Sequence, residues 1–311
     1  MSNTDQNKNN FTPSEILFAK ADLFNWDDGT YQLHQMLESK HCDRATALLI
    51  YWRCDPNFYY SYSDESEIPD WSLKNYKLLK EAEKKLIENE LPEWITYTPD
   101  EDRIPKDSGI INKIPKELLL PSKGMIDAKE LTSQFITASY LIDYCKKGKL
   151  ESVQKLLEAN PSIINVGIED YNPLMAALSK GRIDIVAYLL EQGADIDATP
   201  LSKKNVPIIC GIYYSKKAKL FELLVKYGAD INAVNPAQDT VLHRQLDNKQ
   251  ETWKFIYGPA LLKMMLKLGA DLNKKNAAQK TPLDLAKEHN NEEALAIIEK
   301  FISDKVKKAR K

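Results

Sequence analysis

The sequence predicts an all-α protein in two parts: a compact helical N-terminal domain, then a solenoid of about five stacked helical repeats. Three observations carry that prediction. Helix-like runs in the second half end in nearly the same phrase: Leu189–Ala198, Leu223–Ala233 and Met265–Asn273 each contain Gly-Ala-Asp, and Leu156–Asn165 is a degenerate copy. Apolar pairs such as Leu189-Leu190 and Leu223-Leu224 precede the phrase at helical spacing. The first half is helical in pattern yet lacks this period. Stacked units bury little alone and fold by covering one another. They offer a long groove and no enclosed pocket, so the expected work is to grip a protein.

The N-terminal helices follow from caps and apolar faces. Ser14 is placed to cap a helix through Phe24. Asp27 or Asp28 is placed to cap the next, Thr30 to Ser39, and Asp43 a third, Arg44 to Trp52. That third run is apolar nearly all round, which marks it as the centre of the domain's core. Ser72 to Asn89 forms a long amphipathic helix with Tyr76, Leu79, Ala82 and Leu86 along one side. Residues 91–125 carry five prolines between apolar residues such as Ile104, Ile114 and Leu118. This is too apolar for a free linker and predicts an irregular segment packed on the helices. The expected boundaries are a disordered 1–12, a helical domain over 13–125, repeats over 126–304 and a basic tail over 305–311.

The repeats explain their own residues. Gly193, Gly228 and Gly269 stand just past a helix end, where a left-handed residue is usual. The Asp-Ile-Asn or Asp-Ile-Asp stretch beyond is a turn between repeats. Upstream lie Asn172-Pro173-Leu174, Val206-Pro207-Ile208, Thr240-Val241-Leu242-His243 and Thr281-Pro282-Leu283. Proline suits the first turn of a helix, where its missing N–H costs nothing. These phrases, in this order, resemble the ankyrin repeat, over residues 135–303. The resemblance implies paired antiparallel helices, and contacts through loop tips and the groove face of the first helices.

A second resemblance rests on Asn25-Trp26-Asp27-Asp28-Gly29, on Cys42 to Trp52, and on Ile114 to Leu118 with Pro121-Ser122-Lys123-Gly124. Residues 14–124 are similar to an uncharacterised bacterial domain that occurs alone or joined to ankyrin repeats. That domain is placed among immunity factors for polymorphic toxins. The resemblance implies an immunity protein that holds a cytoplasm-acting toxin.

Composition narrows the alternatives. Net charge is −2, which argues against a dedicated nucleic-acid binder. Residues 1–124 hold 15 basic and 22 acidic side chains, net −7, and residues 125–311 hold 28 and 23, net +5. The basic half can meet an acidic partner or the chain's own acidic half. Cys42, Cys54, Cys145 and Cys210 form no Cys-x-x-Cys pair and read as buried free thiols of a reducing compartment. The first ten residues lack the apolar core of a signal peptide, and no run reaches the ~18 apolar residues of a membrane span. A cytoplasmic monomer without membrane contact is expected.

Chemical readings fare less well than structural ones. Asp27, Asp28 and Asp43 are explained by capping. His34 and His41, seven apart, lack the spacing of helical metal ligands. His243 occupies the ankyrin-motif histidine position, whose work is structural, and His289 is placed on the surface. No Gly-rich phosphate loop or nucleophile elbow is present, so no enzyme activity, cofactor or metal is expected.

The binding reading has named candidates. Ser179 and Lys180, and in the next repeat Tyr213 and Tyr214, follow the inner helix and point into the groove. Paired tyrosines give large contact area at low entropy cost, although packing against a neighbouring repeat explains them too. Lys216 belongs to a basic neighbourhood with Lys203, Lys204, Lys217 and Lys219. Gly228 and Gly269 are 41 apart against 35 for the preceding pair. In the extra stretch Trp253, Phe255 and Tyr257 alternate, either covering a seam or engaging a partner. The expected function is binding of another protein, sharpened to toxin neutralisation. The alternatives are a scaffold, adaptor or host-directed effector, or an N-terminal enzyme with ankyrin targeting.

Overall fold

Residue 43 decides where the first unit's central helix begins. The Asp43 side chain accepts from the Thr46 amide at 2.9 Å and from the Thr46 hydroxyl at 2.7 Å, opening α3 (Arg44–Arg53). In the computed structural model, which describes residues 10–88, 90–169, 171–197, 218–247 and 258–309, the chain divides into two units. One is Phe11–Ile136. The other takes in the N-terminal residues through Asn10 and the chain from Thr137, within the helix Ala128–Lys147, onward. Fifteen α-helices lie among the described residues.

In the first unit, α3 packs against α1 (Pro13–Asp22), α2 (Tyr31–Glu38), α4 (Pro56–Tyr60) and α5 (Leu73–Glu88). Leu48, Ile50, Tyr51 and Trp52 are wholly buried on it, as the all-round apolar pattern predicts. The Tyr51 and Trp52 rings meet edge to face at 5.3 Å. The indole N–H of Trp52 donates to the Leu118 carbonyl at 3.0 Å. This bond fastens the 91–125 segment to the core, and Ile114 and Leu118 are buried with it. Burial raises the Asp43 carboxyl above the ordinary carboxylate range, while its bonds to Thr46 pull it back.

Several expectations need correction here. Thr12, not Ser14, caps α1: it bonds the Glu15 amide while the Glu15 carboxylate reaches back to the Thr12 amide. The Thr-Pro-x-Glu order makes a reciprocal capping box that Ser14 cannot form. Phe11 is buried against Phe135, so order begins before residue 13. Asp27 and Asp28 cap nothing; they form a short 3-10 turn capped by Asn25. The 91–125 segment also supplies a strand, β1 (Ile95–Thr96), paired in parallel with β2 (Ile126–Asp127). Trp94-Ile95-Thr96-Tyr97 is a β-prone run that helical counting passes over.

In the second unit, helix pairs recur: Thr137 to Lys147 with Leu150–Ala159, Pro173–Ser179 with Ile183–Glu191, Val241–Leu246 with Gly258–Lys267, and Pro282–Glu288 with Glu292–Ala309. Ala218–Lys226 is a further helix, and residues 198–217 before it lie outside the described residues. Asn172, Thr240 and Thr281 each cap an inner helix. Leu178, Val186, Leu224, Leu242, Leu262 and Ile298 belong to one continuous buried cluster. The last helix runs to Ala309, so the chain stays helical into the stretch read from sequence as a basic tail.

Gly193, Gly228 and Gly269 have φ of +87°, +96° and +95°. Beside Gly228 a Cβ would meet nothing within 4 Å, so the cost of replacement is backbone strain alone. Gly228→Val is expected to destabilise by about 1–2 kcal/mol, lowering Tm by on the order of 5 °C. The control, Lys226→Ala on an exposed side chain, should stay within ~0.5 kcal/mol of wild type. Differential scanning calorimetry of both variants checks the assignment.

Candidate interaction surface

Repeat junctions set the spacing of anything displayed on the second unit. The Asp of each turn phrase folds the turn on itself: Asp195, Asp230 and Asp271 accept from the amides of Asp197, Asn232 and Asn273 at 2.8–2.9 Å. The closing Asn then reaches to the following repeat. Asn165 accepts from the Asp195 amide at 2.7 Å, and Asn232 from the Asp271 amide at 2.8 Å. His243 is wholly buried, with Nδ1 3.1 Å from the Thr240 amide and Nε2 3.0 Å from the Lys280 carbonyl. Its expected structural role therefore spans two repeats. His289 is not on the open surface; it is half-buried and 3.3 Å from Asp247.

These junctions, the caps on the inner helices and the left-handed glycines decide the assignment. The second unit is built of ankyrin repeats. Residues 116–200 and 141–235 match the family described as ankyrin repeats (3 copies), and residues 12–87 match Domain of unknown function (DUF4274). The ankyrin geometry continues beyond residue 235 with the same caps and junction bonds. Among curated proteins, the chain is similar to E3 ubiquitin-protein ligase KEG of Arabidopsis thaliana, 33% identical over 108 residues. Serine/threonine-protein kinase VIK of the same plant is 32% identical over 112 residues, and Ankyrin repeat protein nuc-2 of Neurospora crassa 34% over 88. These stretches are 34%, 35% and 28% of this chain but 6%, 24% and 8% of those proteins. The chain therefore spans a quarter or less of their length. The ligase and kinase likeness covers the ankyrin segment alone. Ankyrin repeats make this unit a protein-binding module.

The described ankyrin surface carries one basic and aromatic patch, built by the first two inner helices. Tyr140 is 54% exposed and stacks on Tyr144, with centroids 6.0 Å apart. The Lys149 ammonium lies 5.5 Å from the Tyr144 ring, and that of Lys146 lies 3.6 Å from the Tyr171 ring. Such placements hold a cation over the negative face of an aromatic ring. Burial first, and then the Lys180 ammonium, hold Lys146 below the ordinary lysine range. The Asp143 and Glu169 carboxylates nearby pull it the other way.

Of the candidates named from sequence, Lys180 is exposed and belongs to this patch. Ser179 does not face outward: it is buried, and its hydroxyl donates back to the Ala176 carbonyl at 2.8 Å. Tyr213, Tyr214, Lys216, Trp253, Phe255 and Tyr257 lie outside the described residues. Tyr140, Tyr144 and Lys146 were missed because the first repeat lacks the opening proline phrase. The signal was present: Lys146-Lys147-Gly148 aligns with Ser179-Lys180-Gly181.

Among the described residues, no group of three histidine, cysteine or acidic side chains is arranged to hold a metal ion. Burial pushes the Cys42 and Cys145 thiols up to about 12 and raises Cys54 as well, which makes all three poor nucleophiles. Cys210 lies outside the described residues. No described helix is long and apolar enough to cross a membrane.

Proposed function

We propose that this chain works by holding another protein on its ankyrin unit, and that this partner is a toxin which it neutralises. The basic and aromatic patch around Tyr140, Tyr144, Lys146 and Lys180 carries the binding reading. It combines rigid aromatic area with cations at low entropy cost, the pairing that favours protein contacts. The resemblance of the first unit to immunity factors supports the toxin as partner. Lysines of one sign speed encounter with an acidic surface and exclude basic competitors. The chain then blocks its partner by occupancy and needs no catalytic group, cofactor or metal of its own.

The test is a charge reversal. Lys146→Glu with Lys180→Glu, both outward of the core, is expected to leave circular dichroism unchanged. It should weaken binding of the partner recovered with the intact chain by at least ~10-fold, since about 1.4 kcal/mol is tenfold. The recovered partner should be toxic when expressed alone and harmless with the wild-type chain. A non-toxic partner overturns the immunity reading. Unchanged affinity in the folded double variant moves the contact elsewhere, first to Tyr213, Tyr214 and Lys216 or to Trp253, Phe255 and Tyr257.

A further inference from the structure

The first unit carries an aromatic face that its core does not use. Trp71 is 78% exposed, on the short 3-10 turn Asp70–Ser72 that leads into α5. The turn beneath it is fixed. Ser72 is buried, its hydroxyl donates to the Pro69 carbonyl at 2.9 Å, and the Tyr59 hydroxyl donates to the Ser72 carbonyl at 3.1 Å. The indole therefore stands in solvent on an anchored backbone. Behind it the rings continue. Phe58 of α4 lies 5.7 Å from Trp71, tilted by 41°, and Tyr62 meets Phe58 edge to face at 5.4 Å. Single exposed apolar residues are ordinary, but a contiguous set marks a contact surface.

The charge around this face has one sign. Residues 55–72 hold Asp55, Asp64, Glu65, Glu67 and Asp70, all exposed, and no lysine or arginine. Their carboxylates bond only neutral groups. Asp64 accepts from the Ser66 amide at 2.8 Å, Glu67 from the Ser63 amide at 3.1 Å, and Glu65 from the Tyr76 hydroxyl. The Ser66 hydroxyl and amide hold Asp64 below the ordinary carboxylate range, which keeps it charged. Among the described residues none of the five has an ion-pair partner. Nearby lysines do not cancel this field. Lys113 spends its ammonium on the Tyr60 and Tyr62 carbonyls at 2.8 and 3.2 Å, and Lys80 pairs with Glu83. With Lys74 and Lys77 of α5 included, residues 55–79 still hold five acidic and two basic side chains.

The two features together define the occupant. Carboxylates alone attract any cation, and rings alone attract any apolar group. A flat cation uses both. A guanidinium stacks on an aromatic face and donates in pairs to carboxylates, which a compact and strongly hydrated ammonium does less well. Several separate carboxylates exceed what one small cation can use, so the fit is a chain segment with several cations. Nucleic acid and acidic proteins are repelled.

We propose that this face docks an arginine-rich segment of a partner protein, with one guanidinium stacked on Trp71 and its neighbours paired to Asp64, Glu67 and Asp70. The face lies wholly within the first unit and is opposite in sign to the lysine patch of the ankyrin unit. It stands independently of what that patch holds.

Fluorescence anisotropy of a labelled hexa-arginine peptide titrated with the full chain tests this. Binding is expected to saturate and to weaken as salt is raised. Trp71→Ala should weaken it by about fivefold or more, with circular dichroism unchanged. Asp64→Asn combined with Glu67→Gln and Asp70→Asn keeps the side-chain acceptors of the turns and should weaken it by on the order of tenfold. The charge-matched control, Asp27→Asn with Asp28→Asn and Glu38→Gln, removes three exposed carboxylates elsewhere in the unit and should stay within about twofold of wild type. Absence of saturable binding overturns the proposal. So does wild-type affinity in the folded Trp71→Ala chain, which would reduce the face to charge alone. An equal loss in the control overturns it too, since binding would then be spread over the whole acidic unit.

Discussion

Trp52→Ala is expected to destabilise the first unit by about 3–5 kcal/mol, the range for removing a fully buried large aromatic side chain. Trp52 is wholly buried at the centre of α3 and packs edge to face on Tyr51. It also closes a hydrogen bond to Leu118, so its loss leaves a buried carbonyl unpaired as well as a cavity. A typical domain is stable by only about 5–15 kcal/mol, which makes this a large fraction of the whole. Urea unfolding of the full chain measures it. Two controls separate the causes. Trp52→Phe keeps most of the packing and should cost about 1–3 kcal/mol through the orphaned carbonyl. Trp71→Ala, at a side chain 78% exposed, should shift stability by no more than ~0.5 kcal/mol. Similar midpoints for Trp52→Ala and Trp71→Ala would show that α3 is not the core.

The second large effect is expected at Gly124. A Cβ there would lie 2.3 Å from the Ile95 amide nitrogen and from the Trp94 carbonyl carbon, and 2.4 Å from the Ile95 carbonyl carbon. All three are backbone atoms, so no side chain can swing aside. Gly124→Ala must move the chain that leads into β2 off β1, at a cost on the order of 3 kcal/mol. The cost extends beyond the clash. Ser122, two residues before, donates to the Ile95 carbonyl at 2.7 Å and accepts from the Tyr97 amide at 2.9 Å. Displacing this strand pair therefore also disturbs the Ser122 bonds that hold the Ile95–Tyr97 backbone. The expected result is a lower urea midpoint. A Gly124→Ala chain with wild-type stability would contradict the close approach.

Local chemistry made much of this fold legible in the sequence. Asp43, Asn172, Thr240 and Thr281 cap helices, and Gly193, Gly228 and Gly269 end them, because such roles are decided within one turn of chain. Thr12 was missed for Ser14 because the reciprocal Glu15 bond outweighs proximity to the apolar run. Contacts distant in sequence were the less readable ones. Asp22 and Arg53 are 31 residues apart and Asp22 and Thr132 are 110, so no spacing rule joins them. On the ankyrin unit the error ran the other way. Ser179 fitted the positional rule for groove residues, but its hydroxyl turned back onto its own helix.

The junction bonds between repeats explain how this stack tolerates uneven chain length. Asn165 reaches an amide 30 residues ahead, and Asn232 reaches one 39 residues ahead, at nearly equal distances of 2.7 and 2.8 Å. The contact is made from turn to turn, so it registers where each repeat ends and is blind to how much polypeptide was spent in between. Pitch and length are thereby uncoupled. A segment can be lengthened inside one repeat, rewritten for a new surface and carried outward, while the neighbours on either side keep the same handhold.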